Sequence, residues 1–168
     1  PLWTNIAPLS AFGQRDSGVA MVFAGKFWLS TGYFRAPNEL YYDLWYSPDK
    51  GRSWQIALGS ELPLTEQPVD IYDVFSRLAV FNGELVAIGS SVWTSPDGLS
   101  WRTVTTDGPV KATEDARVIA LAGKLVYIKP ETAQIFVSAD LLHWEESSFP
   151  AGFEPRCGAE IVERAGRI

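Results

Sequence analysis

Apolar and polar positions along this chain fall into short runs, and one run returns four times. An apolar stretch meets Gly, then a charged residue, then a second apolar stretch. The copies are Val22-Phe23-Ala24-Gly25-Lys26-Phe27-Trp28-Leu29, Val80-Phe81-Asn82-Gly83-Glu84-Leu85-Val86-Ala87, Ala120-Leu121-Ala122-Gly123-Lys124-Leu125-Val126-Tyr127, and Glu163-Arg164-Ala165-Gly166-Arg167-Ile168. Each predicts a β-hairpin. Asn82-Gly83 carries the clearest turn signal, since both residues tolerate positive φ, and Ala-Gly stands there in the other copies. In the first three copies the flanking runs are apolar at odd and even positions alike. Such strands have sheet neighbours on both faces rather than one wet face.

A second pattern follows each complete hairpin. Ser47-Pro48-Asp49-Lys50-Gly51-Arg52-Ser53-Trp54 returns as Ser95-Pro96-Asp97-Gly98-Leu99-Ser100-Trp101, and in altered form as Ser138-Ala139-Asp140-Leu141-Leu142-His143-Trp144. Asp can accept hydrogen bonds from backbone N–H groups two or three residues on, which closes a tight turn. Gly supplies a backbone conformation that a Cβ hinders, and Trp opens the next strand with its ring against the sheet. Leu141 replaces that Gly in the third copy, so this turn is expected to be looser or differently shaped. Trp3 resembles the tail of an earlier copy.

Both markers recur at roughly 40–50 residues, the period of four-stranded propeller blades. The expected architecture is an all-β β-propeller fragment of about three four-stranded blades with partial flanking strands. Residues 1–14 supply strand D of a preceding blade; 15–56, 73–104 and 113–147 are whole blades; 156–168 begin another. Three blades are fewer than the ~4–8 of a closed propeller. The expectation is a segment of a longer chain, with two alternatives. A second copy closes the ring, or residues 2–6 pair with 157–163.

The turn pattern Ser-x-Asp-x-Gly-x-x-Trp resembles the Asp-box, or bacterial neuraminidase repeat. Residues 47–54 match it in full, and 95–101 match a form one residue shorter. The stretch Phe27-Trp28-Leu29-Ser30-Thr31-Gly32-Tyr33 is similar to a kelch blade, with Thr31-Gly32 where kelch has a double Gly. The resemblance implies a sialidase-like superfamily fold. It assigns Ser47, Asp49, Gly51, Trp54, Ser95, Asp97, Gly98, Trp101, Ser138, Asp140 and Trp144 to structural turns at the blade periphery. Asp-boxes occur in sialidases, other glycoside hydrolases, sortilin-type receptors, photosystem assembly factors and secreted propellers. The resemblance is therefore specific for fold and general for function. It favours a secreted or periplasmic location, while the sequence itself leaves the compartment open.

Composition narrows the functional classes. Of 168 residues 46% are hydrophobic and 13% aromatic, enough for a packed core. A formal net charge of −6, with Lys and Arg scattered, argues against nucleic acid and anionic membrane surfaces as partners. No apolar run reaches the ~18 residues of a membrane span. One Cys and one His exclude an intrachain disulfide and a multi-histidine metal cluster, so neither metal nor cofactor is expected.

Propeller ligands are expected at the loops that enter the innermost strands. Ten residues before the hairpin glycines stand Arg15, Asp73, Thr113 and Arg156, with Asp16, Tyr72 and Arg117 nearby. Arg, carboxylate and Tyr together suit a polar or carbohydrate ligand. Loop ends are polar by default, so interblade ion pairs are the plainer assignment. Arg15, Arg117 and Arg156 are arginines that could imitate a sialidase triad. However, the sialidase Arg-Ile-Pro motif is absent, Arg117 is out of register, and no Tyr–Glu pair or catalytic set can be assigned. Residues 33–43, including Tyr33 and Arg35, read as a long B–C loop. Residues 57–72 read as a long connection. The expected function is a non-catalytic module binding a protein or carbohydrate ligand. The alternative is part of a sialidase-like or other glycoside hydrolase whose remaining catalytic residues lie elsewhere.

Overall fold

In the computed structural model the described residues are 3–6, 11–15, 18–34, 39–59, 77–109, 116–129, 132–149, 152 and 154. They form twelve strands and, among themselves, no helix. The chain divides into two compact units, Pro1–Ile71 and Tyr72–Ile168.

The first unit holds one antiparallel sheet in the order β1-β2-β3-β4, with β1 Val19–Phe23, β2 Lys26–Phe34, β3 Glu39–Ser47 and β4 Gln55–Leu58. The second unit holds two sheets of the same order. One is β5 Leu78–Phe81, β6 Glu84–Ile88, β7 Val92–Ser95 and β8 Arg102–Thr105. The other is β9 Arg117–Leu121, β10 Lys124–Lys129, β11 Gln134–Ser138 and β12 Glu145–Ser148. These are the four-stranded sheets that the repeat predicts. In residues 1–14 the described positions 3–6 and 11–14 form no strand.

The double-sided apolar pattern has its explanation in the second unit. Alternate side chains of a strand point to opposite faces. Phe81, Val86, Ile88 and Val92 of the second sheet share one core with Leu125 and Tyr127 of the third. Val80 and Leu85, on the other face of the second sheet, are paired across β5 and β6. Burying each such side chain contributes about 1.5–3 kcal/mol. In the first unit Trp28 is buried and donates its indole N–H to the Phe23 carbonyl at 3.1 Å, so its one polar atom is satisfied.

The three hairpins between first and second strands turn alike. Asn82 and Gly83 have φ of 50° and 80°, Ala24 and Gly25 of 48° and 72°, and Ala122 and Gly123 of 49° and 74°. Two successive left-handed residues match the twist of the flanking strands. Alanine is poorly suited to this region, where its Cβ crowds the carbonyl oxygen. Both alanines are therefore held there by the ladder on either side.

The strands β2 and β3 are longer than their counterparts. Of the stretch 33–43, expected as a loop, the described residues 33–34 and 39–43 instead belong to strands, and the ladder continues through Gly32↔Tyr41, Tyr33↔Leu40 and Phe34↔Glu39. The Pro37-Asn38 pair reads as loop, yet the Tyr and Phe on either side are strong strand formers. A bulge between Ser30 and Gly32 marks where this two-stranded finger leaves the sheet, past the reach of β1 and β4.

Ala24→Asn and Ala122→Asn should each stabilise the chain by about 0.5–1 kcal/mol, because Asn tolerates the left-handed region. Asn82→Ala should cost a similar amount. Urea unfolding with an unchanged slope checks all three.

Candidate functional site

Of the residues expected to meet a ligand, Arg15 and Arg117 have described side chains. Tyr33 lies in the finger by its backbone. Asp16, Arg35, Tyr72, Asp73 and Arg156 lie outside the described residues.

Arg15 is placed by the segment before β1, and its partner Asp43 by the bulge in β3. The guanidinium grips the Asp43 carboxylate with both terminal nitrogens, Nη2 at 3.1 Å from Oδ2. The indole N–H of Trp45 donates to the same oxygen at 2.7 Å. Phe12 closes the group, edge-on to Trp45 at 6.4 Å and to Trp54 at 4.8 Å, with the Arg15 guanidinium 5.5 Å from its ring centre. The side chains of Arg15 and Asp43 are 5% and 11% exposed. A Cβ on Gly59 would lie 2.9 Å from the Cβ of Asp43, so only glycine fits beside it. A pair this enclosed, with both oxygens of the acid engaged, acts as a structural clamp within the first unit.

Arg117 opens β9, and its Nη1 donates to the Ala116 carbonyl at 3.0 Å. It pairs with Ile128 in register. Its counterpart in the second sheet is Arg77, which precedes β5 and is buried, its carbonyl accepting from the Ile88 N–H at 3.2 Å. The sequence reasoning missed Arg77. Both arginines stand six residues before a hairpin Gly, and counting from that distance finds them together. The β5 and β9 strands also contact each other, so the two positions lie at matching levels of neighbouring strands.

The Ser-Asp turns share one hydrogen-bond scheme. Ser47 Oγ accepts from the Gly51 N–H at 2.7 Å, Ser95 Oγ from Gly98 at 2.7 Å, and Ser138 Oγ from Leu141 at 2.8 Å. Asp49 accepts from the N–H and hydroxyl of Ser53 at 2.8 and 2.6 Å. Asp97 accepts from the N–H groups of Leu99 and Ser100 at 2.8 and 2.7 Å. Asp140 accepts from those of Leu142 and His143 at 2.9 and 2.8 Å. Trp54 and Trp101 then donate their indole N–H to the Gly51 and Gly98 carbonyls at 3.2 and 3.1 Å.

These bonds favour the ionised acids. The Ser53 hydroxyl, followed by its N–H, lowers the Asp49 pKa to about 2. The Ser100 N–H leads in lowering that of Asp97 to about 2. The Asp140 carboxyl is also held below the ordinary aspartate range, chiefly by the His143 side chain. Carboxylates so engaged are turn formers.

The third turn, expected to be looser or differently shaped, keeps its serine and aspartate bonds and differs at its tryptophan. Leu141 takes the left-handed conformation itself, with φ 68°, and the Ser138 and Asp140 bonds remain. His143 Nδ1 lies 2.7 Å from Asp140 Oδ2, where Ser100 serves Asp97. One bond is missing, because the buried Trp144 indole N–H has no partner. Leu141 is 8% exposed and belongs to the core shared by the second and third sheets.

Beside Leu141 a cleft of about 270 Å³ opens between those two sheets, lined by Phe81, Thr94, Arg102, Val104 and Asp140 among others. Glu84 and Arg102 pair at 2.7 Å on its rim, and the buried Thr94 hydroxyl has no hydrogen-bond partner. Among the described residues no group of three His, Cys, Asp or Glu is placed to hold a metal ion. No helix among them is long and apolar enough to cross a membrane.

No protein-family model matches the sequence, and comparison with curated proteins finds no match. Solved structures do match. A family 117 glycoside hydrolase from the marine bacterium Zobellia galactanivorans superposes with a TM-score of 0.53 at 10% identity, over 84% of this chain and 48% of that one. A thermostable family-43 glycoside hydrolase gives 0.49 at 16% identity, over 82% and 53%. YCF48 bound to D1 peptide gives 0.48 at 16%, over 83% and 45%. The chain spans about half the length of these structures. Together with the three sheets, the first likeness places the chain among all-β propeller-type folds, as a propeller segment. Identity this low speaks for fold alone.

Leu141→Gly would restore the turn pattern, yet it should destabilise the chain by about 1–2 kcal/mol. Relief of the left-handed leucine gains about 1–2 kcal/mol. Loss of the buried side chain and the extra freedom of unfolded glycine cost about 2–4 kcal/mol. Thermal unfolding decides the sign. Arg15→Ala should cost about 3 kcal/mol by leaving Asp43 buried and unpaired, and Arg15→Met with Asp43→Leu should recover most of it. Chemical denaturation of both variants checks the clamp.

Proposed function

We propose that the chain is a β-propeller module that binds a protein or glycan through the loop end of its sheets, and that its Ser-Asp turns are Asp-box turns. One observation carries this reading. The finger formed by β2 and β3 continues beyond its sheet, and Tyr33, Phe34, Leu40 and Tyr41 occupy its paired positions. Backbone pairing pre-organises such a projection, and aromatic positions on a rigid element suit recognition of protein or sugar surfaces. Arg35, between the two strands in sequence, belongs to the same proposal, as do Asp16, Tyr72, Asp73, Arg117 and Arg156 at the strand-opening loops. Arg15 enters it as the clamp that fixes the base of the first sheet through Asp43.

A glycan array and a panel of purified extracellular proteins, probed with the 168-residue chain, test the reading. Tyr33→Ala with Tyr41→Ala should weaken binding at least about tenfold, the loss of a typical aromatic anchor, at an unchanged melting temperature. Unaltered binding overturns the finger as the contact surface.

A second reading, part of a glycoside hydrolase propeller, is favoured by the fold likeness to an enzyme of that class. Turnover of fluorogenic glycosides above the buffer rate would establish it in place of a purely binding role.

A further inference from the structure

The cleft between the second and third sheets is where the repeat is broken on both of its walls. Both sheets belong to the second unit. On the second sheet Thr94 pairs with Val86 on one side and Arg102 on the other, and Phe81 pairs with Glu84. Directly opposed residues share a face, as do residues two apart along a strand. Phe81 and Val86 lie in the core shared with the third sheet, so Glu84, Thr94 and Arg102 face that sheet as well. Asp140 and Leu141 of the third turn form the opposite wall, with leucine where the first two turns have Gly51 and Gly98.

Thr94 is 2% exposed, and among the described residues its hydroxyl has no hydrogen-bond partner. The fold does not require this hydroxyl. Counted from the turn serine, its counterpart in the third sheet is Val137, which has no polar side-chain atom. In the first sheet it is Tyr46, whose hydroxyl donates to Gln55 Oε1. A buried unpaired hydroxyl costs free energy that a valine avoids. A water takes up about 30 Å³ of the liquid, so a cleft of about 270 Å³ holds more than one bridging water.

The polar atoms of the cleft divide between donors and acceptors. The rim ion pair uses one nitrogen of Arg102 and one oxygen of Glu84. Their charges cancel, and Asp140 is engaged within its own turn, so a charged ligand would bring a charge with no match. A neutral group that both donates and accepts suits these atoms. Adjacent hydroxyls are such a group, one accepting from the guanidinium while its neighbour donates to the carboxylate. Phe81, Val104 and Leu141 supply apolar surface for the C–H face of a ring. Sites for drug-sized molecules run from about 300 to 1,000 Å³, and this smaller cleft matches one sugar ring.

We propose that the cleft between the second and third sheets binds a single neutral sugar ring, with the Thr94 hydroxyl at its base and Glu84 and Arg102 at its rim. Thr94 gains its hydrogen-bond partner when the sugar is in place. The site is independent of the finger reading above, since the cleft belongs to the second unit and the finger to the first.

Amide chemical shifts of the ¹⁵N-labelled 168-residue chain, titrated with the methyl glycosides of glucose, galactose, mannose and fucose, test it. At least one glycoside should bind saturably and move the amides of Glu84, Thr94, Arg102 and Leu141. Thr94→Val should weaken that binding about tenfold, the loss of a hydrogen bond, and should melt no lower than the native chain. Arg102→Ala should weaken it by a similar factor at a near-native melting temperature, because its ion pair with Glu84 is solvent-exposed. Tyr33→Ala with Tyr41→Ala should leave it unchanged, which separates this site from the finger. The proposal is overturned by glycosides that move no amide up to about 100 mM, a concentration that detects even very weak sites. Shifts confined to the finger overturn it, as does binding that either Thr94→Val or Arg102→Ala leaves untouched. A Thr94→Val chain that loses the sugar and also melts lower overturns it as well, because the hydroxyl then serves the fold.

Discussion

Strands that are apolar on both faces impose a constraint that no single sheet can meet. A sheet with one wet face alternates, whereas Leu85-Val86-Ala87-Ile88 and Leu125-Val126-Tyr127-Ile128 do not, and all eight residues are buried. Two neighbouring layers per sheet are therefore required, and the core of Phe81, Ile88, Leu125 and Tyr127 is one such contact realised within the chain. Sheet stacking thus governs which residues are interior.

The sharp turns serve that stacking. The first two join the third and fourth strands through a serine hydroxyl, an aspartate and a tryptophan, all within eight residues. Their local character explains why the carboxylates can be exposed and still strongly acidic, since the donors are neighbours in sequence. The third turn shows local and tertiary demands in competition. Leu141 takes an unfavourable backbone conformation while its side chain is buried in the core. The magnitudes favour burial over turn geometry.

The Arg15 clamp belongs to the same logic on the first sheet. The finger of β2 and β3 departs at a bulge, and the bulge places Asp43 where Arg15 and Trp45 meet it. A cation that the sequence offered as a ligand contact is committed to holding the segment before β1 against the sheet.

By itself the sequence determined the repeat, the hairpins, the sharp turns and the all-β class, because these rest on short-range chemistry: Gly at left-handed positions, Asp beside N–H donors, apolar runs of strand length. Only the tertiary structure decided the rest. Within the stretch 33–43, Tyr33 and Phe34 became ladder rather than loop by pairing with Leu40 and Glu39. Asp43, the last residue of the stretch expected as a loop, became the partner of Arg15, 28 positions away. Arg77 proved to be the equivalent of Arg117 in its own sheet, each six residues before a hairpin Gly, which counting from another loop position conceals. Such pairings depend on which faces meet and how strands align, and those are properties of packed sheets rather than of neighbouring residues.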